Sequence, residues 1–378
     1  MALRERPGSF WPSSQQVLLL RAALLDRERG EAAWRKVSRD LDIENLELGS
    51  SMLLPLIHEQ LTAWDLDDVH LGKMKGVYRW IWARNQVSLD AFRQVLEALH
   101  GARVETLVFA SAHLATSYYA RPGSVHVGEA AVLVRPPQRS AALRALADAG
   151  WQIHEGSGRQ RRVERDGGPS CAVCWRLIPE LERWDDPWSG AELWRASVEI
   201  EVNGVSTRAL CAADELLLAC IDGARAKSVS RVQWVADAAT VIQTSGGSLD
   251  WERLVSEAVE RRCVLRLRDA LGFLDDTVGV DVPADVLARL DAVPSTRREQ
   301  LAHRISGRGG AVLGNLPATV ANHIVMTQSE SVSRVALGLP ATLRAVWGVE
   351  TVAGMPVAAV RRGRSAIVAA RERRRPVH

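Results

Sequence analysis

The sequence predicts an α+β fold: a mixed-sheet core flanked by N-terminal helices and followed by a C-terminal helical domain. Three observations carry this reading. Apolar residues recur at helical spacing through the first hundred positions, short β-rich runs replace them from about residue 103, and the helical period returns at Ala212. With 378 residues, 47% of them hydrophobic, the chain can bury the core of two or three domains.

The elements follow in order. Residues 14–26 (SQQVLLLRAALLD) open with a serine cap and continue with apolar residues at helical spacing. Similar patterns cover 30–40, 50–63 and 71–100, the last with a stripe of Met74, Val77, Ile81, Val87, Phe92, Val95, Leu96 and Leu99. Strands are expected at 103–110 and 130–135, with a helix at 111–119 between them and an amphipathic helix at 138–149 ended by Gly150. WQIHE, RRVERDG, SCAVCWRLI and ASVEIEVNG then read as strands. Five helix candidates lie between Ala212 and Val293, and weaker ones at 317–337 and 340–347. The resulting division is 1–100 helical, 101–208 α+β core, 209–360 helical and 361–378 a basic tail.

Several function classes are excluded by composition. No window reaches the roughly 18 apolar residues of a membrane-spanning helix, and Val17–Leu20 is too short for a signal peptide's apolar run. Five cysteines without framework spacing read as the reduced thiols of a cytoplasmic protein. The formal charge of +3 is uneven: residues 361–375 hold seven Arg and one Glu, a net +6, leaving −3 for the rest. Such a tail can touch phosphates or nucleic acid, but a solvated terminal charge run is the preferred reading.

VETLVFASAHLATSYYARPGSVHVGEAAVLVRP, SCAVCWRLI and ADELLLACIDGARAKSVSRVQWVADAATVIQ with LDWERLV, preceded by KGVYRWIWARNQ, keep one order over roughly residues 15–300. Together they resemble the bacterial uncharacterised nucleotidyltransferases, within the polymerase-β-like nucleotidyltransferase superfamily. The resemblance implies a nucleotidyltransferase-like sheet and metal-assisted nucleotidyl transfer. There an Asp-x-Asp pair and a third Asp hold two divalent ions that bind the triphosphate and neutralise the leaving pyrophosphate. Laid on that pattern, Gly128 matches the motif glycine in a tight turn into the strand. Glu129 and Ala131 stand at the paired Asp positions, and Ala172 stands at the third. A Lys-Gly pair that usually precedes the first helix falls on Ala110 and Ser111. No Asp lies within residues 102–147, so no shift of register restores the pair. The resemblance thus implies a scaffold without its metal ligands: no cofactor is expected, nor metal-dependent nucleotidyl transfer.

Other candidates are weighed against blander roles. His113 could face the cleft above Glu129 and form an acid/base pair with it, or simply cap or face solvent. Asp222, Arg225 and Asp237 sit in the helical block that would cover the cleft, where an interhelical ion pair serves as well. Tyr118, Trp175 and Arg176 could line the same cleft, though aromatic residues there are usually core. Cys171 and Cys174 form a Cys-x-x-Cys without a second ligand pair and read as buried structural cysteines. GSGR at 156–159 and GRGG at 307–310 lack the context of a P-loop. Two functions remain. One is a non-catalytic protein binding a small molecule or a pathway partner in the vestigial cleft; the other is a cleft repurposed for metal-independent catalysis in a specialised-metabolite pathway, with residual nucleotidyl transfer a distant third. No membrane is involved in either.

Overall fold

A computed structural model describes residues 11–154, 159–178, 181, 190–223 and 232–306, with positions 320, 323, 339 and 340. The tail at 361–378, Arg225, GRGG at 307–310 and most of the weak helices beyond 316 lie outside the described residues.

Helix α1 (Ser14–Leu24) starts where Ser13 Oγ accepts from the Gln16 amide and the Gln16 side chain accepts from the Ser13 amide, a reciprocal cap. Helix α2 (Arg27–Val37) is capped by Asp26. The segment expected as one helix at 50–63 is two, α3 (Leu48–Ser51) and α4 (Leu54–Ala63), with Pro55 in the first turn of the second. Helix α5 (Leu71–Gly101) runs 31 residues. Its inward stripe includes Ile81, Asn85, Ser88 and Phe92, while Val87, expected inside, is 57% exposed. A polar asparagine and a serine thus take core-facing positions that apolarity alone gave to Val87.

The central region runs β1 (Thr106–Phe109), α6 (Ala110–Ser117), β2 (Ala130–Val134), α7 (Arg139–Asp148), β3 (Gln152–His154), β4 (Gln160–Glu164), β5 (Cys171–Cys174), α8 (Ala191–Ala196), β6 (Val198–Val202) and β7 (Val205–Ala209). The seven strands form one mixed sheet in the order β3-β4-β5-β2-β1-β7-β6. β1 is antiparallel to β2 and parallel to β7, and β2 is parallel to β5. The sequence reading ended a strand at Asn203-Gly204; the pair is the turn of the β6–β7 hairpin. Both residues have positive φ, 46° and 86°, as a two-residue type I′ turn requires.

Residues paired across strands share a face of the sheet. One face packs on α5: Thr106 Oγ1 meets His100 of α5 at 2.6 Å and Thr207 at 2.8 Å. Val108, Val132 and Val173 lie on this side. On the other face a single row crosses the sheet through Phe109, Ala131, Ala172, Arg162 and His154. The expected juxtaposition of Ala131 and Ala172 is direct, since the two are register partners.

The C-terminal helices are α9 (Ala212–Gly223), α10 (Gln233–Ser245), α11 (Trp251–Glu260), α12 (Val264–Gly272), α13 (Ala284–Ala292) and α14 (Arg297–Ser306). Helix α12 continues as a wider π turn, Phe273–Val278, which ends at Gly279 with φ 94°. Helix α14 was not anticipated. One buried apolar cluster extends from Leu19 to Leu290 and joins both helical regions to the sheet. Among the described residues, no helix is long and apolar enough to cross a membrane.

Candidate functional site

The approach to β2 is set by α5. Asn85 is fully buried; its Nδ2 donates to the carbonyls of Pro122 and Val125, and its Oδ1 accepts from the Val127 amide at 2.9 Å. Tyr78 lies against Gly123 so closely that a Cβ there would sit 2.6 Å from the ring. The close approach in this segment is therefore at Gly123. Gly128 itself is exposed, and a Cβ there would meet nothing within 4 Å.

This path delivers Glu129 to the start of β2. Its Oε1 accepts from Arg162 Nε at 2.7 Å and from Ser170 Oγ at 3.1 Å. Two residues on, Ala131 and Ala172 lie side by side, 8% and 4% exposed. Arg162, on β4, reaches Glu129 on β2 across the intervening strand β5, and Ala172, its register partner there, leaves that path clear.

His113 does not pair with Glu129. Its Nδ1 is 2.8 Å from Oε2 of Glu215 on α9, and both side chains are 1% exposed. The other oxygen of Glu215 accepts from the Ala110 amide at 2.9 Å. Ala110, the first residue of α6, has φ 57°, a left-handed conformation that costs a residue with a Cβ about 1 kcal/mol. Glu215 thus bonds a helix-terminal amide that lacks a partner within α6, and holds the helix from across the fold. Asp214, the neighbouring residue, accepts from Arg253 Nη2 at 2.7 Å, tying α9 to α11 and fixing where Glu215 points. The Tyr118 ring packs edge-on against His113 at 5.1 Å, and burial beside Glu215 holds its hydroxyl pKa above the ordinary value.

Asp237, on α10, accepts from Tyr119 Oη at 2.7 Å and Gln233 Nε2 at 3.1 Å. Burial, with the Glu215 carboxyl nearby, pushes its pKa up to about 6, against the two hydrogen bonds that favour the ionised form. The folded protein therefore holds a proton here that the unfolded chain releases near pH 4. This contribution to stability is complete below pH 4 and is lost as pH rises through 6. Urea midpoints measured from pH 4 to 7 are expected to show the Asp237→Asn variant gaining relative to wild type as pH rises. A constant difference would contradict the raised pKa.

The remaining candidates fall apart from this cluster. Trp175 is covered by Arg139 of α7 at 4.1 Å, and the alternation of β5 turns it to the face opposite Ala172. Arg176 is exposed; Ser111 lies in α6 and Asp222 near the end of α9, both half-buried. Cys171 and Cys174 are buried free thiols whose pKa burial raises to about 12. A cavity of about 350 Å³ lies elsewhere, between the α1–α2 junction and α10, with Arg29, Gln243 and Trp251 in its wall. Among the described residues, no group of three or more His, Cys, Asp or Glu side chains is placed to hold a metal ion.

Glu215 was not foreseen as a site residue. In ADELLLAC it reads as a first-turn acid, and nothing local signals a partner about a hundred positions upstream. No curated protein and no solved structure matches the chain. The profile of the uncharacterised nucleotidyltransferases matches residues 50–279, well over half of the sequence and the whole of the sheet with the helices α9 to α12 that follow it. On that match, the chain belongs to the uncharacterised nucleotidyltransferase family.

Proposed function

We propose that this protein is a catalytically degenerate member of its family, binding a small molecule or partner in the vestigial cleft. The observation that carries this reading is the register pair Ala131–Ala172. Two positions where the resemblance calls for carboxylates coincide across neighbouring strands, and both hold methyl groups. Hard divalent ions take oxygen ligands, which methyl groups cannot supply. Glu129, the remaining acid, is already engaged by Arg162 and Ser170. These residues do not fit a two-ion site. The left-handed backbone of Ala110 is where a glycine would be unstrained, which favours laying the Lys-Gly pair on Phe109 and Ala110, one residue earlier than first placed. In either register the lysine is gone.

Calorimetry with Mn²⁺ and ATP or GTP is expected to give no saturable heat. Micromolar metal-dependent nucleotide binding, abolished by Glu129→Ala, would overturn the reading. A second reading, metal-independent catalysis, is favoured by one observation, the buried pairing of His113 with Glu215. It requires substrate to reach His113, whose side chain is 1% exposed. Binding is therefore preferred.

A further inference from the structure

We infer that Arg162 gives the cleft an oxyanion site, and that its ligand is a terminal carboxylate or phosphomonoester on an otherwise apolar body. The inference rests on the cleft reading above and adds the chemistry of the ligand. Three features point to it. Glu129 Oε1 holds Arg162 by Nε alone, at 2.7 Å, which fixes the plane of the guanidinium. Among the described residues, neither terminal nitrogen of Arg162 has a hydrogen-bond partner, and the side chain is 57% exposed. The row beside it, Ala172, Ala131 and Phe109, carries no charge and no hydrogen-bonding side chain.

An arginine oriented through Nε presents its two Nη groups as a fork, which matches two oxygens of a carboxylate or phosphate. A monoanion suits the site better than a triphosphate. Arg162 supplies one positive charge, offset by Glu129, and the part of the row on its Ala172 side, Ala172, Ala131 and Phe109, adds no second cation. The half-buried Phe109 ring, in a row with no charge or hydrogen-bonding side chain on this side of Arg162, favours a hydrocarbon portion over a sugar or base. The two sources of such an anion, a carboxylic acid and a phosphate ester, share this recognition and differ in charge and in the number of acceptor oxygens.

The experiment is calorimetry in EDTA at low salt, with octanoate, octyl phosphate and octanol as probes, on the full chain and on Arg162→Gln and Arg162→Lys. At least one anion is expected to bind saturably and at least about tenfold tighter than octanol. Arg162→Gln should remove that advantage, while Arg162→Lys, which keeps the charge without the fork, should retain part of it. The stronger of the two anions tells which source the site prefers. Anion binding indifferent to Arg162→Gln, no preference over octanol, or no binding by any probe would each overturn the inference. Saturable binding of Mn²⁺ with ATP is the separate result that would overturn the cleft reading itself. Because the Arg162–Glu129 pair is exposed, both variants should keep the wild-type urea midpoint closely, so lost binding would report the site and not the fold.

Discussion

Replacing Glu215 with alanine is expected to cost about 3–4 kcal/mol of folding stability, read as a lower urea midpoint with an unchanged slope. The size follows from what the change strands. The half-buried Ala110 amide at the head of α6 and Nδ1 of the buried His113 both lose their partner. Glu215→Gln keeps an acceptor for the amide and should cost less. His113→Ala leaves the bond to Ala110 and should also cost less. A double-mutant cycle between 113 and 215 is expected to give a coupling of at least about 1 kcal/mol. A loss below about 1 kcal/mol in Glu215→Ala would mean that the cross-fold cap does not hold α6.

Asn85→Ala should be nearly as damaging, about 3 kcal/mol, because backbone groups at the exposed Pro122 and the buried Val125 and Val127 lose their partner and a hole remains. The consequence reaches the site, since these groups belong to the segment that brings Glu129 to β2. Hydrogen exchange at the Val127 amide should quicken strongly, with amides of the β6–β7 hairpin unaffected. Asn85→Asp, the same size but setting a buried carboxylate against two carbonyl oxygens, should cost at least as much as alanine. Unchanged exchange at Val127 would show that Asn85 does not organise this loop.

The sheet was largely legible because its strands are short apolar runs between turn residues, and because the register implied by the family resemblance set Ala131 and Ala172 side by side. The β6–β7 hairpin was misread although its Asn-Gly turn was in plain view, since VEIEVNG already satisfied the expectation of one strand. The site was less legible. His113 was singled out, but its partner depends on how α9 lies over α6, which is decided by tertiary contacts such as Asp214–Arg253 and not by any local period. Asn85 was hidden for a similar reason. An amide in an amphipathic helix reads as solvent-facing, and only the loop that folds back over α5 gives it three partners.

The parallel pairing of β1 with β7 joins Leu107 to Arg208, about a hundred positions apart. A chain made at 5–20 residues per second completes β1 about 5–20 s before β7 emerges. Until then β2 can cover one side of β1, but the other side, from Thr106 to Phe109, has no strand to receive its hydrogen bonds. The Ala110 amide waits equally long for Glu215. An apolar strand with one open side is a template for mispairing with other chains. The nascent protein therefore passes through an interval, set by ribosome speed, in which this four-residue edge is the natural place for a chaperone to bind.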